Sequence, residues 1–295
     1  MDHVVIKGWR RLGVRRFGIL DGTPVFLLHG TPGCRLSARP SDVDLERLGV
    51  HLVTYDRPGY GRSDPHRGRT VADAADDVRI IADSLGLGTF AVIGRSGGGP
   101  HALACAALLP ERVTRAAALV SPAPFDADDL DWFRGMVALN RSMYGAAVMG
   151  PRQLAQEIFP RVEAMRSDPE HLLRSLEAEA PPEDRATLSD PAYRAEFVAS
   201  ITEAVGRSLA GWAGDSMAFT RPWGFDPAWI AAPTLLWHFA RDPFIPVSHA
   251  LWLARRIGNV HFKISEQGSH LWAAAVQYDA IRWLLEGRVP DRAAG

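Results

Sequence analysis

The sequence predicts an α/β fold in which helices flank a mostly parallel central sheet and a helical cap is inserted into the chain. Two observations support this prediction. Short apolar runs rich in β-branched and aromatic residues alternate with longer segments whose apolar residues recur at helical spacing. One long stretch, residues 123–222, has helical patterns and no convincing buried strand.

The short apolar runs assign the strands. An opening hairpin is predicted from residues 4–9 and 14–20. Six further runs predict buried strands at 24–30, 50–56, 89–95, 113–121, 232–239 and 260–265. Near-continuous apolar strands are expected where helices cover both faces of a parallel sheet. The sheet is therefore predicted to be covered on both sides.

The segments between these strands predict the helices, at residues 71–87, 98–110, 248–258 and 271–287. Within the strand-free stretch, Pro181-Pro182 and Asp190-Pro191 mark breaks between shorter helical pieces. We interpret 123–222 as a helical cap inserted into one core. The two parts of that core are residues 1–122 and 223–295.

The composition excludes several classes of protein. The chain has 295 residues, 47% of them hydrophobic, and a formal net charge of −1, which gives no sign of a nucleic-acid partner. Its longest apolar runs are far shorter than the ~20 residues that a membrane span needs. No secretory signal is visible, and two cysteines are too few for a disulfide framework. We expect a cytoplasmic monomer or homodimer that binds a small molecule and no membrane.

The segment "VIGRSGGGPHAL" contains the pattern G-x-S-x-G around Ser96, between a predicted strand and a predicted helix. A sharp turn at such a junction raises a serine hydroxyl above the carboxyl edge of the sheet and requires small neighbours. An ordinary glycine-rich turn is the alternative, and the flanking strand and helix disfavour it. Ser96 is the predicted nucleophile.

A nucleophilic serine needs a base, and the base needs a carboxylate that orients it. His270 follows the last predicted strand, and Gly268 permits a turn before it. Asp242 follows the preceding strand, although it could instead cap the turn made with Pro243. Both residues are predicted at the carboxyl ends of strands, where the clefts of open α/β sheets form. Asp126 and Asp215 are the alternative acids.

The segment "HGTPG" at residues 29–33 follows the first parallel strand and suggests an oxyanion hole. We expect the backbone N–H groups of Thr31 and Gly97 to point at the developing oxyanion. Pro32 has no N–H to donate, which singles out Thr31. His29 is expected to brace the loop, since a second base beside these donors has no role.

Together, "HGTPG", "YDRPGYGRSD", "GRSGGGP" and "GSHL" resemble the α/β-hydrolase superfamily, in its branch with a helical cap after the sixth strand. The resemblance covers nearly the whole chain. It implies Ser96 as nucleophile, His270 as base, Asp242 as acid, and Thr31 and Gly97 as main-chain donors. It also implies structural roles for Asp56, Arg57 and Gly61.

The predicted function is a cofactor-independent serine hydrolase that cleaves a small or medium, apolar carboxylic ester through an acyl-enzyme, without a metal. Alternatives on the same residues are C–C bond, lactone or amide hydrolysis and perhydrolysis. A ligand-binding protein without turnover is a further alternative. Serine at position 96 argues against dehalogenase or epoxide hydrolase chemistry, which needs a carboxylate nucleophile there.

Large apolar side chains of the cap are expected to line a pocket above Ser96: Trp132, Met136, Trp212 and Phe219. They could instead seal the cap onto the core. An apolar pocket predicts that kcat/KM rises from acetyl to at least butyryl esters and falls for charged ones. A preference for carboxylate-bearing substrates would indicate that Arg95 or Arg241 reaches the site. The role of His101, which also lies near Ser96 in sequence, is left open.

Overall fold

The computed structural model describes residues 2–288. Eight strands in this range are Asp2–Lys7 (β1), Arg10–Gly18 (β2), Thr23–Leu28 (β3), Val50–Tyr55 (β4), Phe90–Arg95 (β5), Val113–Leu119 (β6), Thr234–Phe239 (β7) and Val260–Ser265 (β8). The α-helices are Asp42–Leu48 (α1), Asp73–Ser84 (α2), Gly99–Leu108 (α3), Ala138–Met149 (α4), Pro151–Ser167 (α5), His171–Glu179 (α6), Pro182–Ser189 (α7), Pro191–Val205 (α8), Ala210–Phe219 (α9), Val247–Arg256 (α10) and Gln277–Glu286 (α11).

The strands form one sheet in the order β1-β2-β4-β3-β5-β6-β7-β8. β1 pairs antiparallel with β2, and β2 pairs antiparallel with β4, which gives the predicted opening hairpin. All the other pairs are parallel. The α/β fold with a mostly parallel sheet is confirmed.

Side chains of the central strands alternate between two buried layers, because successive residues of a strand point to opposite faces. In β3, Phe26 and Leu28 join the core layer that contains residues of α2, α3 and α10. Val25 and Leu27 join the opposite layer, with residues of α1 and α11. Both faces of the sheet are therefore covered, which explains the nearly continuous apolar strands.

The two proline-containing breaks noted in the sequence, Pro181-Pro182 and Asp190-Pro191, each contain the first residue of a helix. Pro182 begins α7 and Pro191 begins α8, at the first helical turn, where a missing N–H costs nothing. The Asp190 carboxylate caps α8 by accepting a hydrogen bond from the backbone N–H of Tyr193. Local sequence thus divides this stretch into separate short helices.

Helices α4 to α9 all lie between β6 and β7, where the sequence predicts an inserted cap. Apolar residues of α4, α5, α6, α8 and α9 form a further hydrophobic cluster, which includes Ile158 and Val162 and also contains Cys34 and Tyr60. The division at residues 123 and 222 stays a prediction, and residues 289–295 of the predicted core lie outside the described residues.

Among the helices of residues 2–288, none is both long enough and apolar enough to cross a membrane.

Candidate active site

Ser96 lies on a sharp turn between β5 and α3. The strand ends at Arg95, and a short 3₁₀ helix, Ser96–Gly98, leads into α3. The backbone of Ser96 has φ +52°, a left-handed conformation that is unusual for a residue with a side chain. A Cβ at Gly94 would collide with the Gly98 carbonyl, and one at Gly98 would collide with the Leu28 carbonyl. The turn therefore requires glycine on both sides of the serine.

The structure brings Ser96, His270 and Asp242 together. The hydroxyl Oγ of Ser96 lies 3.0 Å from Nε2 of His270, and Nδ1 of His270 lies 2.7 Å from Oδ2 of Asp242. The Asp242 side chain is buried, whereas the His270 side chain is 11% exposed. The three groups have the hydrogen-bonding order of a nucleophile, a base and an orienting acid.

Asp242 also caps its own loop. Its other oxygen, Oδ1, accepts hydrogen bonds from the backbone N–H groups of Phe244 at 2.9 Å and Ile245 at 3.0 Å. Turn capping and contact with His270 were competing interpretations of the sequence, and the geometry combines them. The loop backbone fixes the carboxylate, so that Oδ2 faces the imidazole.

Gly268 forms the turn that precedes His270 and positions its side chain. Its φ is +89°, and an added Cβ would collide with the rings of Trp272 and Phe239. The backbone N–H of Leu271 then donates a 2.9 Å hydrogen bond to the buried carboxylate of Asp184, on α7. The His270 loop is thus held by a glycine turn on one side and by the cap on the other.

Thr31 and Gly97, the expected oxyanion donors, lie against each other. A Cβ at Gly97 would collide with the Thr31 side chain. Thr31 also lines the cavity that contains Ser96 and His270. This proximity is what an oxyanion hole made from these two peptides requires, and their role as donors stays a prediction.

Arg57 fixes the loop that contains Thr31 through hydrogen bonds. The guanidinium donates to the carbonyls of His29 and Gly30 and, at 2.9 Å, to the Thr31 hydroxyl. The ring of His29 accepts a hydrogen bond from the Arg57 backbone N–H at Nε2, so its Nδ1 donates to the Gly30 carbonyl. Burial and the Arg57 charge hold the pKa of His29 well below its usual range. His29 is therefore a neutral brace.

Asp215, on α9, completes this network. Its fully buried carboxylate accepts from the Thr31 hydroxyl at 2.5 Å and forms ion pairs with Arg57 at 2.6 Å and Arg69 at 2.5 Å. Tyr60 donates a further hydrogen bond of 2.9 Å. Burial alone would raise the pKa of Asp215, but the two guanidinium groups hold it well below its usual range. Asp215 therefore holds the Thr31 loop from α9 and is not the carboxylate that pairs with His270.

Replacing Asp215 by asparagine should destabilise the fold by about 3–5 kcal/mol, because two buried guanidinium groups would lose their counter-charge. Urea denaturation measures the free energy of unfolding. Asp126→Asn, at an exposed aspartate, is the matched control and should change it little. A loss below about 1 kcal/mol in Asp215→Asn would contradict the charged state assigned to this network.

A cavity of about 100 Å³ lies next to Ser96 and His270. Helices α4, α6, α8 and α9 contribute apolar side chains to its wall: Leu139, Met143, Leu172, Leu176, Phe197 and Trp212. Of the four pocket residues expected from the sequence, only Trp212 lines it. Trp132, Met136 and Phe219 belong to the hydrophobic core instead.

The side chains of Trp132, Met136 and Phe219 pack within the hydrophobic core. The indole N–H of Trp132 donates a 2.9 Å hydrogen bond to the Ala123 carbonyl, and its ring meets Tyr144 edge-on. Phe219 packs edge-on against His101. The pocket prediction is therefore wrong for Trp132, Met136 and Phe219, which pack in the hydrophobic core.

The sequence left the roles of Arg95, Arg241 and His101 open, and the structure places them in three different environments. Arg95 lines the cavity. Arg241 is 65% exposed and lies 3.5 Å from the Glu183 carboxylate at the surface. The ring of His101 is buried, with Nδ1 2.8 Å from the Gly97 carbonyl, and burial lowers its pKa to about 3. His101 therefore supports the Ser96 turn from behind as a neutral group.

Sequence reasoning missed Asp184, Asn140 and Tyr193. Asn140 donates to the Phe244 carbonyl at 2.8 Å and lines the cavity, and Tyr193 lines it from α8. No motif surrounds these residues. Their positions depend on how the cap helices pack over the sheet, which the local sequence does not encode.

Comparisons with known proteins agree with the fold. A sequence profile of the alpha/beta hydrolase fold matches residues 23–272. A non-heme chloroperoxidase from Streptomyces lividans is 35% identical over 163 residues, which cover 49% of this chain and 57% of that protein. A proline iminopeptidase from Neisseria gonorrhoeae is 37% identical over 97 residues, which cover 32% of this chain and 31% of that protein. The chain thus matches only about half of the first relative and a third of the second.

Solved structures resemble the whole chain. An alpha/beta hydrolase fold protein from Nakamurella multipartita has a TM-score of 0.68 and 23% identity, covering 98% of this chain and 100% of that chain. A thermophilic esterase from Thermogutta terrifontis has a TM-score of 0.69 and 20% identity, with coverages of 98% and 100%. At such identities the similarity concerns the fold.

Proposed function

Because the chain belongs to the alpha/beta hydrolase fold family, we propose that it is a cofactor-independent serine hydrolase that cleaves a carboxylic ester through an acyl-enzyme. The observation that carries the proposal is the hydrogen-bonded series Ser96–His270–Asp242, with distances of 3.0 and 2.7 Å. The cavity beside Ser96 is where the reacting ester would bind.

In the first half of the reaction, the Ser96 Oγ attacks the ester carbonyl carbon while Nε2 of His270 takes the hydroxyl proton. Asp242 holds Nδ1–H of the imidazole and stabilises the imidazolium that forms. Collapse of the tetrahedral intermediate breaks the bond to the alcohol oxygen, which receives the proton from Nε2. The acyl group is then attached to Ser96, and the alcohol leaves.

In the second half, water attacks the acyl carbon and gives a proton to the same Nε2. The second tetrahedral intermediate expels Ser96 Oγ, which regains that proton, and the carboxylic acid is released. Both intermediates carry a negative oxygen. The N–H groups of Thr31 and Gly97 are the proposed donors to it, and losing one such donor typically costs about 10²–10³-fold in kcat.

The loop network supports this assignment of donors. An oxyanion hole stabilises charge only if its donors are already in position, since reorganisation would consume the gain. Arg57 and Asp215 hold the Thr31 side chain, while the Thr31 side chain packs against Gly97. The buried ion pairs thus connect the cap helix α9 to the proposed oxyanion hole.

The apolar wall predicts the acyl preference. In p-nitrophenyl esters, kcat/KM should rise from acetyl to butyryl, because the added methylenes leave water for a wall of leucine, methionine and aromatic side chains. The gain is about 1–3 kcal/mol for the added pair, roughly 5- to 150-fold. Initial rates at low substrate concentration measure it. A flat profile would contradict an acyl site in this cavity.

The same assay, extended to lactones, diketones, amino-acid amides and hydrogen peroxide with a carboxylic acid, compares the alternative reactions. All of them use the same three residues, and the similarity to a chloroperoxidase and to proline iminopeptidases gives a reason to include the last two. Turnover of one of these classes with negligible ester hydrolysis would replace the ester proposal while leaving the serine mechanism intact.

A further inference from the structure

Arg95 is the last residue of β5 and immediately precedes Ser96. Arg95 is half-buried and lines the cavity beside Ser96 and His270. It also lines a smaller adjoining cavity, together with Tyr193 and Phe197 of α8. Arg95 therefore lies between the turn at Ser96 and helix α8.

Within residues 2–288, the Arg95 guanidinium has no hydrogen-bond or ion-pair partner. The other arginines near the site are paired: Arg35 with Asp56 and Glu203, Arg57 with Asp215, and Arg69 with Asp215. No aspartate or glutamate of the described chain lines the cavity or the smaller one beside it. The wall of the cavity thus carries a guanidinium and no carboxylate to pair with it.

The titratable groups around Arg95 leave this charge in place. Burial raises the pKa of Tyr193, and the nearby Arg95 charge opposes that rise, so the phenol is neutral at pH 7. Glu196, on α8, is near enough to interact with the Arg95 charge, but it belongs to neither cavity wall. Its pKa is raised by burial and lowered by the charges of Arg39 and Arg95. The imidazole of His270 is committed to Asp242.

A guanidinium beside a cavity that has no carboxylate in its wall favours a ligand carboxylate, which it can bind through two parallel, charge-assisted hydrogen bonds. We propose that Arg95 binds a carboxylate of the substrate, so that the site takes esters with a short apolar segment between the scissile ester and an anionic end. This inference rests on the proposed function. It reverses the sequence-based expectation that charged esters are poorer substrates.

The binding test uses Ser96→Ala, which cannot form the acyl-enzyme. Calorimetry compares monomethyl adipate, which has a free carboxylate, with dimethyl adipate, which has the same chain and no charge. A third ligand, 4-acetoxybutanoate, carries its carboxylate on the alcohol side. At least one acid should bind about 10–100-fold more tightly to Ser96→Ala than to Ser96→Ala/Arg95→Met, because a hydrogen bond to a charged group contributes about 1.5–3 kcal/mol.

The kinetic test uses the same esters with otherwise wild-type protein. Arg95→Met should lower kcat/KM for the preferred acid by about 10–100-fold and leave the neutral diester within about threefold. Arg95→Lys should recover part of the loss. Arg241→Met is the matched control, since that arginine lies at the surface. It should leave kcat/KM unchanged for both substrates.

Two results would overturn the proposal. One is an equal loss for acid and neutral esters in Arg95→Met, which would mean a structural role for the arginine. The other is equal binding of both acids to the single and double variants. Because the binding test involves no turnover, it decides the carboxylate site even if the ester proposal fails. Conversely, hydrolysis of neutral esters alone would uphold the ester proposal and reject the role of Arg95.

Discussion

Replacement of Ser96 by alanine should lower kcat for a p-nitrophenyl ester by at least about 10⁴-fold, because no other group is placed to attack the carbonyl. The fold should persist. Alanine has the same positive-φ penalty as serine at this turn, and the requirement for small neighbours falls on Gly94 and Gly98. Rates measured with the purified variant, together with its thermal unfolding curve, separate lost chemistry from lost structure.

Ser189→Ala is the matched control for this variant, because Ser189 is an exposed serine of α7 that takes no part in the site. It should retain wild-type turnover. Ester hydrolysis by Ser96→Ala within tenfold of the wild-type rate would reject Ser96 as the nucleophile.

Asp242→Asn should lower kcat by about 10⁴-fold, with a modest change in KM. Oδ1 of Asp242 accepts two backbone N–H groups, so the amide oxygen of asparagine must take that position. Its NH₂ then faces Nδ1 of His270 and forces the ring proton onto Nε2. An imidazole protonated at Nε2 cannot take the proton of Ser96, and the base is lost.

The kcat of Asp242→Asn is measured with the same ester, at saturating substrate. Asp126→Asn serves as its control, since that aspartate was an alternative acid and lies exposed away from His270. A nearly silent Asp242→Asn combined with an inactive Asp126→Asn would refute the assignment of the acid.

The sequence was enough to predict the sheet and the three residues at its carboxyl edge. Ser96 directly follows β5, and Asp242 and His270 lie in the loops after β7 and β8. The carboxyl ends of parallel strands meet at one edge whatever the rest of the chain does. Local features, namely apolar runs and glycine turns, therefore suffice to bring them together.

The cap could not be predicted to the same depth. Its helices are visible in the sequence, but which of their faces meets the cavity depends on packing between distant segments. Trp132 and Trp212 are equally apolar in the sequence, yet only Trp212 reaches the cavity. Asp215 was recognised only as an alternative acid, because its partners Arg57 and Arg69 lie far away in the chain.

Labelling with a fluorophosphonate tests the central claim, that His270 and Asp242 make Ser96 a nucleophile, most directly. Such a probe forms a covalent adduct with an activated serine and needs no knowledge of the substrate. Intact mass spectrometry and peptide mapping should find one adduct on wild-type protein, at Ser96, none on Ser96→Ala, and much slower labelling of Asp242→Asn. Wild-type protein that stays unlabelled, or Ser96→Ala that is labelled as fast as wild type, would contradict the account.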